Sequence, residues 1–374
     1  MFRNSIKLFS LFGIEIRIDY SWFIIFALFI YIFGFFYFPM ILPEESALVI
    51  GIVTVITVIL FFGSVLFHEM SHSLVARKKG MPVNKISLFI FGGMSHLEKE
   101  ADDPGSEFIM ALSGPLASFV LAGVFGGLWF VSRGFVVLEE PFRYLAIINV
   151  VLGVFNLIPG FPLDGGRVLR SIIWKVTDNL KRSTYIAMIA GRVVGFLLVG
   201  TGILFIFMGN FMGGIWFAII GWFLQSSAYA SYRQTVFEIA SKGIKVKDIM
   251  KEDVVVVPKD LTLNDIINEY FMKYRYGRFP VVESTEDQRF IGMVSIHDIK
   301  SFSSQERDDV KVGDIVKTVT DKEIVSRDME VSDAIKKMSE NDLGHLVIMS
   351  GDSLQGLITK SDVMKFMKFQ SEFD

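Results

Sequence analysis

Two histidines four residues apart, with a glutamate beside the first, form a set that can hold a metal ion and move a proton. The segment is Val65-Leu66-Phe67-His68-Glu69-Met70-Ser71-His72-Ser73-Leu74. A helix repeats every 3.6 residues, so His68 and His72 lie one above the other on one face, where both can reach a single ion. Glu69 sits beside that line, free to act as a base instead of a ligand. A lone histidine on an apolar face would read as a structural residue. Here the positions running up to His68 are almost all aliphatic or aromatic. Unpaired polar groups in hydrocarbon cost several kcal/mol, so three of them on one apolar helix call for a functional reason.

Two histidines leave a zinc ion short of ligands. The chain has no cysteine, which excludes disulfides, thiolate nucleophiles and sulfur-ligated zinc, so any further ligand is a histidine or a carboxylate. His297 and His345 fall in the polar C-terminal part, and His96 reads most simply as a polar loop residue. The stronger candidate is the run Asn156-Leu157-Ile158-Pro159-Gly160-Phe161-Pro162-Leu163-Asp164-Gly165-Gly166-Arg167. Its prolines and glycines break a helix, and broken backbone at membrane depth is tolerated only inside protein or beside a wet cavity. Asp164 in that break supplies a third, anionic ligand, and two histidines, one carboxylate and a water make a catalytic zinc arrangement. The plainer alternatives are that Asp164 caps the helix beginning at Gly165 and that Asn156 is a turn residue.

The elements that must position these residues follow from hydropathy. The chain of 374 residues is 52% hydrophobic, well above ordinary soluble composition, and 37 of its residues are Phe. The apolar content fills the first 230 or so positions and then falls away. This predicts a polytopic α-helical membrane domain followed by a soluble α/β part. A net charge of -3 offers no basic surface for nucleic acid. About six spanning helices are expected. They run from Tyr20 to Phe38 (closed by Pro39), Ser46 to Ala76, Phe108 to Val131, Tyr144 to Ile158, Tyr185 to Met208 and Phe211 to Tyr229. Gly209-Asn210 should make the last two an antiparallel hairpin. The basic N-terminal stretch resembles a signal n-region, but the apolar run after it is too long and no small-residue cleavage site follows, so it is read as retained.

Basic residues set the orientation. The segments read as inside carry Arg3, Lys7, Arg17, Arg77, Lys78, Lys79, Arg167, Arg170, Lys175, Lys181 and Arg182, whereas the outside loops carry Arg133 and Arg143. The positive-inside rule then puts both chain ends in the cytoplasm of a multi-pass cell-membrane protein. His68 precedes Arg77 by nine residues, which places it roughly 14 Å below the cytoplasmic face at 1.5 Å per residue. Between the second and third helices, Pro82 to His96 is rich in β-branched and aromatic residues and broken by Gly92-Gly93, which suggests a short hairpin or small sheet near the membrane surface. Glu98 to Glu107 reads as an acidic turn. After Tyr232 an internal repeat emerges: Val246-Lys247-Asp248-Ile249-Met250 corresponds to Val312-Gly313-Asp314-Ile315-Val316, and Gly292 to Asp298 corresponds to Gly356 to Asp362. A unit this small buries little apolar surface alone, so the copies should pack together. The expected boundaries are 1–232 for the membrane domain, 233–245 for a linker, and 246–303 and 310–370 for the two repeats.

HEMSH on a membrane helix, followed by NLIPGFPLDGGR after a later one, resembles the site-2 protease family of intramembrane zinc metalloproteases. The terminal repeat resembles a pair of CBS domains. The first resemblance implies one Zn2+ per chain held by His68, His72 and Asp164, with Glu69 as general base and Asn156 as a hydrogen-bond donor to substrate or transition state. It also implies a transmembrane protein substrate clamped as an extended strand by Phe91 to Ser95. The second implies an adenine nucleotide, with Asp298 and Asp362 toward ribose and Ser295 and Thr359 toward phosphate. Alternatively the pair stiffens the protein or dimerises it. A PDZ insertion found in many members is absent, and Pro280-Val281-Val282 has the different counterpart His345-Leu346-Val347. Two rival functions are a transporter with a buried polar pathway and an inactive scaffold. No inverted repeat marks the former, and the latter has no need of Glu69 beside two histidines.

Overall fold

The computed structural model describes residues 5–97, 101–284, 286, 289–351 and 353–370. Arg3 and the start of the acidic segment, Glu98 to Glu100, lie outside the described residues. The chain divides into two compact units, Met1–Thr235 and Val236–Asp374.

The first unit opens with two strands that hydropathy does not announce, β1 (Ser5–Leu11) and β2 (Ile14–Asp19), joined through Phe12 and Gly13, both at positive φ. The signal was present as a period of two. Ile14, Ile16 and Ile18 are buried while Glu15 and Arg17 pair on the outer face. Helix α1 (Tyr20–Ile41) follows without a break, capped by the Asp19 carboxylate accepting from Ser21 N at 2.9 Å. It runs past Pro39 instead of closing there. A widened π-turn over Phe33–Tyr37 precedes the proline and absorbs the clash that its ring makes with the preceding turn. Phe29 then stacks on Phe61, and Trp22 and Phe26 meet Phe62 edge-on and tilted, on α2 (Ala47–Lys78), the long helix that carries His68, Glu69 and His72.

After α2 come β3 (Val83–Phe89) and β4 (Gly92–Leu97), the expected hairpin. The sheet order is β1-β2-β3-β4, with β2 and β3 parallel and the other pairs antiparallel, so β4 is an edge. The remaining helices are α3 (Pro104–Val131), α4 (Val136–Asn156), α5 (Asp164–Thr177), α6 (Leu180–Phe207) and α7 (Phe211–Ser241). Five helices among the described residues are long and apolar enough to cross a membrane: α1, α2, α3, α6 and α7. The fourth expected span, α4, is a helix of 21 residues, long enough at about 31 Å, but Glu139, Glu140 and Arg143 load its first turns with charge. The expected α6–α7 hairpin turns at Gly209, at φ +86°, and closes on glycine. A Cβ at Gly202 would lie 2.6 Å from the Gly214 carbonyl, and one at Gly221 would lie 2.5 Å from that of Gly195. Such close approach between apolar helices needs small residues on both sides. α7 also runs past its expected end, so 233–241 is helical where a linker was expected.

The second unit holds two three-stranded sheets. One has β5 (Val257–Pro258) parallel to β6 (Arg278–Val282) and antiparallel β7 (Phe290–Ser295). The other repeats the pattern with β8 (Ile324–Val325), β9 (His345–Ser350) and β10 (Ser353–Thr359). The lead segments change places. Val246 and Met250 pack in the core of the second repeat with Val331, Leu346 and Ile358, while Val312 packs in the first with Leu263, Phe279 and Val294. Backbone bridges Lys251↔Leu357 and Met293↔Lys317 fasten the exchange.

The strands align His345 with Arg278, not with Pro280 as the sequence suggested, and these two residues at the starts of β6 and β9 meet at 3.4 Å. Burial, reinforced by that guanidinium, holds the His345 imidazole below its ordinary 6.5. As pH falls through about 6.5 the unfolded chain takes up a proton before the folded one, so the stability present at neutral pH is lost progressively below that value. Hydrogen exchange across 345–350 should therefore lose protection between pH 7 and 5.5 in the full chain, and His345→Gln should flatten that dependence; equal slopes in the two proteins would refute it.

Candidate metal centre

His68 and His72 face the same side of α2 with ring centroids 4.9 Å apart. Their Nε2 atoms are 3.2 Å apart, and they lie 3.0 and 3.1 Å from a single Asp164 oxygen, Oδ2. Three polar atoms this close inside an apolar bundle need a proton or a metal cation shared among them. Zinc–ligand bonds of about 2.0–2.1 Å in tetrahedral geometry put ligand atoms about 3.3 Å apart, so the donor set suits a small divalent ion. Among the described residues these three form the group of His and carboxylate side chains able to hold a metal.

The outer nitrogens are also fixed. His72 Nδ1–H donates to the Met110 carbonyl at 2.7 Å, and since a carbonyl only accepts, the Nε2 of the neutral ring carries the lone pair. His68 Nδ1 shares a 2.8 Å hydrogen bond with the Ser118 hydroxyl. Met110 and Ser118 both belong to α3, and between them lies Gly114. A Cβ there would fall 2.1 Å from His72 Nε2 and 2.6 Å from His68 Nε2, so the missing side chain leaves the cradle an ion would fill. Met110 and Ser118 carry no motif of their own; Gly114 and Ser118 at a spacing of four in an apolar helix are the signal in the sequence that points to this face.

Asp164 reaches the site through a break packed backbone to backbone. A Cβ at Gly165 would meet the Leu157 and Ile158 carbonyls at 2.3 and 2.4 Å, and one at Gly160 would meet Gly191 of α6 at 2.5 Å. Phe161 N donates to the Ala187 carbonyl, pinning the loop to α6. Asp164 is the first residue of α5. The N-cap is Leu163, which makes no side-chain capping bond, so the carboxylate is turned to the imidazoles instead of the helix end.

Glu69 is held from the other side by β4. Ser95 Oγ donates to Glu69 Oε2 at 2.9 Å, and Ser73 Oγ lies 3.0 Å from Ser95 Oγ. A Cβ at Gly93 would stand 2.4 Å from Glu69 Cγ, so Gly93 is what lets the edge strand lie against this glutamate. Asn156, at the end of α4, bonds its side-chain amide back to the Leu152 carbonyl at 3.0 Å. His96 lies on strand β4, not in a loop, and its Nε2 meets Ser87 Oγ at 3.1 Å. Burial and the neighbouring Lys85 push its imidazole down to about 4.

In the second unit the four expected nucleotide residues form two matched turns. Ser295 N and Oγ donate to Asp298 Oδ2 at 2.9 and 2.6 Å; Thr359 N and Oγ donate to Asp362 Oδ2 at 3.1 and 2.5 Å. Each aspartate also pairs with a lysine from the other repeat's lead region, Asp298 with Lys317 and Asp362 with Lys251. Burial pushes the Asp298 carboxyl up, but Lys317 and Ser295 together hold it below its usual range.

The cradle makes a direct prediction. Gly114→Ala should leave the helices formed and abolish zinc binding, and Ser118→Ala should weaken zinc binding about 10-fold or more. Zinc quantified in the purified variants checks both; full occupancy in Gly114→Ala would mean that the ion does not sit among these atoms.

Comparison with known proteins places the chain. Peptidase family M50 matches residues 56–140 and 134–201, and the CBS domain matches 246–304 and 312–368. A relative from Synechocystis sp., by its name a candidate zinc metalloprotease, is 32% identical over 376 residues, covering 98% of this chain and 96% of its own. Zinc metalloprotease MJ0392 of Methanocaldococcus jannaschii is 31% identical, with 97% and 96% covered. The site-2 protease structure from Methanocaldococcus jannaschii is 28% identical, with 60% of this chain and 94% of that one aligned at a TM-score of 0.43. Identities of 32% and 31% over nearly the full length of zinc metalloprotease relatives, with the matches to both domain types, show that the chain belongs to peptidase family M50, the site-2 protease family of zinc metalloproteases, and carries a tandem CBS pair.

Proposed function

We propose that this protein cleaves peptide bonds within or near transmembrane segments of membrane-protein substrates, with His68, His72 and Asp164 holding one Zn2+ and Glu69 as general base. The observation that carries it is the Glu69 carboxylate, one residue from a ligand on an apolar helix and packed beneath an edge strand. Bound zinc would polarise the scissile carbonyl and make an adjacent water acidic. Glu69 accepts a proton from the attacking water and later delivers it to the leaving amine. Ser95, donating to Oε2, fixes the carboxylate's rotamer for both transfers. A substrate helix has its carbonyls bonded internally and must unwind before attack. The outer edge of β4 offers replacement bonds to an added strand, and Phe91 to Ser95 would hold it there. Asn156 is assigned the developing oxyanion: one N–H of its amide donates to the Leu152 carbonyl, which leaves the second N–H as the donor.

Both chain ends are read as cytoplasmic in a multi-pass cell-membrane protein. Arg77 donates to the Phe12 carbonyl, so the N-terminal hairpin shares a face with the basic end of α2. The CBS pair is assigned an adenine nucleotide that modulates cleavage, with stiffening or homodimerisation through the pair as the alternative role.

Glu69→Gln should retain zinc and lose cleavage of a model membrane-helix substrate by about 10²–10⁴-fold. Retained cleavage would remove Glu69 from the chemistry; wild type that binds zinc and cuts no substrate would overturn the protease reading. For the CBS pair, a ribose must displace Lys317 from Asp298. Lys317→Met should therefore tighten AMP binding several-fold and Asp298→Ala should weaken it, by calorimetry on the full chain. Identical affinities in all three proteins would place the nucleotide elsewhere.

A further inference from the structure

Arg170 lies on the buried face of α5, with Gly165, Gly166 and Ser171. Its residue is 3% exposed, and its partner, Glu107 of α3, is 0% exposed. The guanidinium Nε and one terminal nitrogen both reach Glu107 Oε1 at 2.5 Å. The other terminal nitrogen donates to Thr235 Oγ1 of α7 at 3.3 Å, and the guanidinium carbon stands 5.2 Å from the centre of the Phe161 ring.

A buried ion pair is a poor device for stability alone. Desolvating both charges costs about what their attraction returns, and apolar residues of like volume often serve as well. Its distinctive property is direction, because a forked donor and a carboxylate meet well in few geometries. The two ends of this pair sit where direction counts. Glu107 lies one turn before Met110, whose carbonyl orients His72, on the same helix as Gly114 and Ser118. Arg170 lies six residues after Asp164 on the short helix that presents it, and it covers Phe161 in the loop just before. The pair thus links the helix that aims the imidazoles to the helix that delivers the carboxylate.

We propose that Glu107 and Arg170 are positioning residues of the metal centre: their ion pair sets α5 against α3 and so places Asp164 Oδ2 between the two imidazoles. The proposal rests on reading His68, His72 and Asp164 as the zinc ligands.

The test uses the full chain purified in detergent, with zinc affinity measured by chelator competition and ligand geometry read from the absorption of the cobalt-substituted protein. Glu107→Gln and Arg170→Lys break the geometry while keeping size, and the double variant E107L/R170M removes both charges so that none is left buried alone. The double variant is expected to fold, to bind zinc about 10–100-fold more weakly and to shift the cobalt spectrum, with Arg170→Lys shifted in the same sense. A folded double variant with wild-type zinc affinity and spectrum overturns the proposal. If the double variant does not fold, an unshifted spectrum and unchanged affinity in Arg170→Lys overturn it equally. Thr184→Val, a buried change on α6 whose hydroxyl donates to the Leu180 carbonyl of its own helix, controls for general destabilisation and should leave affinity unchanged. Asp164→Asn separates the two levels: if it keeps wild-type zinc affinity the ligand reading itself has failed, whereas loss of zinc there with normal Glu107 and Arg170 variants fails the positioning alone.

Discussion

Everything in the first unit answers to one requirement: two imidazole nitrogens and a carboxylate oxygen must come within hydrogen-bond distance of one another inside an apolar bundle. Helices with ordinary side chains pack 8–10 Å apart, too far for one backbone to line another's ligand atoms. Glycine removes that limit where it is needed. Gly114 brings α3 against both imidazoles, Gly93 brings β4 against Glu69, and Gly160, Gly165 and Gly191 let the Asp164 loop nest against α6 and itself. At each of these positions a methyl group would collide with the site or with the backbone that shapes it.

The second requirement is that no polar group brought into the bundle stay dehydrated without compensation. The structure meets most of it at helix crossings, although Asn149 Oδ1, Thr54 Oγ1 and Trp22 Nε1 are buried without a hydrogen-bond partner among the described residues. Ser118 and the Met110 carbonyl take the outer imidazole nitrogens, Ser95 takes Glu69, and Asn149 of α4 donates to Ser64 of α2 at 3.1 Å. The Glu107–Arg170 pair joins two full charges at the same depth of packing. These bonds have definite geometry, and so they hold the helices in one register where apolar contact alone would allow several.

The second unit follows a different logic. Neither repeat has enough apolar surface of its own, and each completes its core with the other's lead segment, so the two stand or fall as one body. The exchange also delivers Lys317 to Asp298 and Lys251 to Asp362. The residues through which the pair would take a nucleotide are therefore the residues at which the repeats hold each other.

The sequence by itself determined which side chains could share a metal and the sequence-local elements. The four-residue spacing of His68 and His72 works on any helix, and a long apolar run can satisfy its backbone only by forming one. The break around Asp164, the β3–β4 hairpin, the glycine turn at 209 and the repeat were legible because each depends on residues near in sequence. The β1–β2 hairpin was hidden in a stretch dominated by its basic residues, although Ile14, Ile16 and Ile18 alternate as a strand should. Only the tertiary structure decided that Asp164 turns from its helix end to the imidazoles, that Met110 and Ser118 orient them, that Arg170 faces inward to Glu107, and that the lead segments trade places. Those are contacts between segments tens of residues apart, fixed by which backbones can approach closely, and no local period in the sequence encodes them.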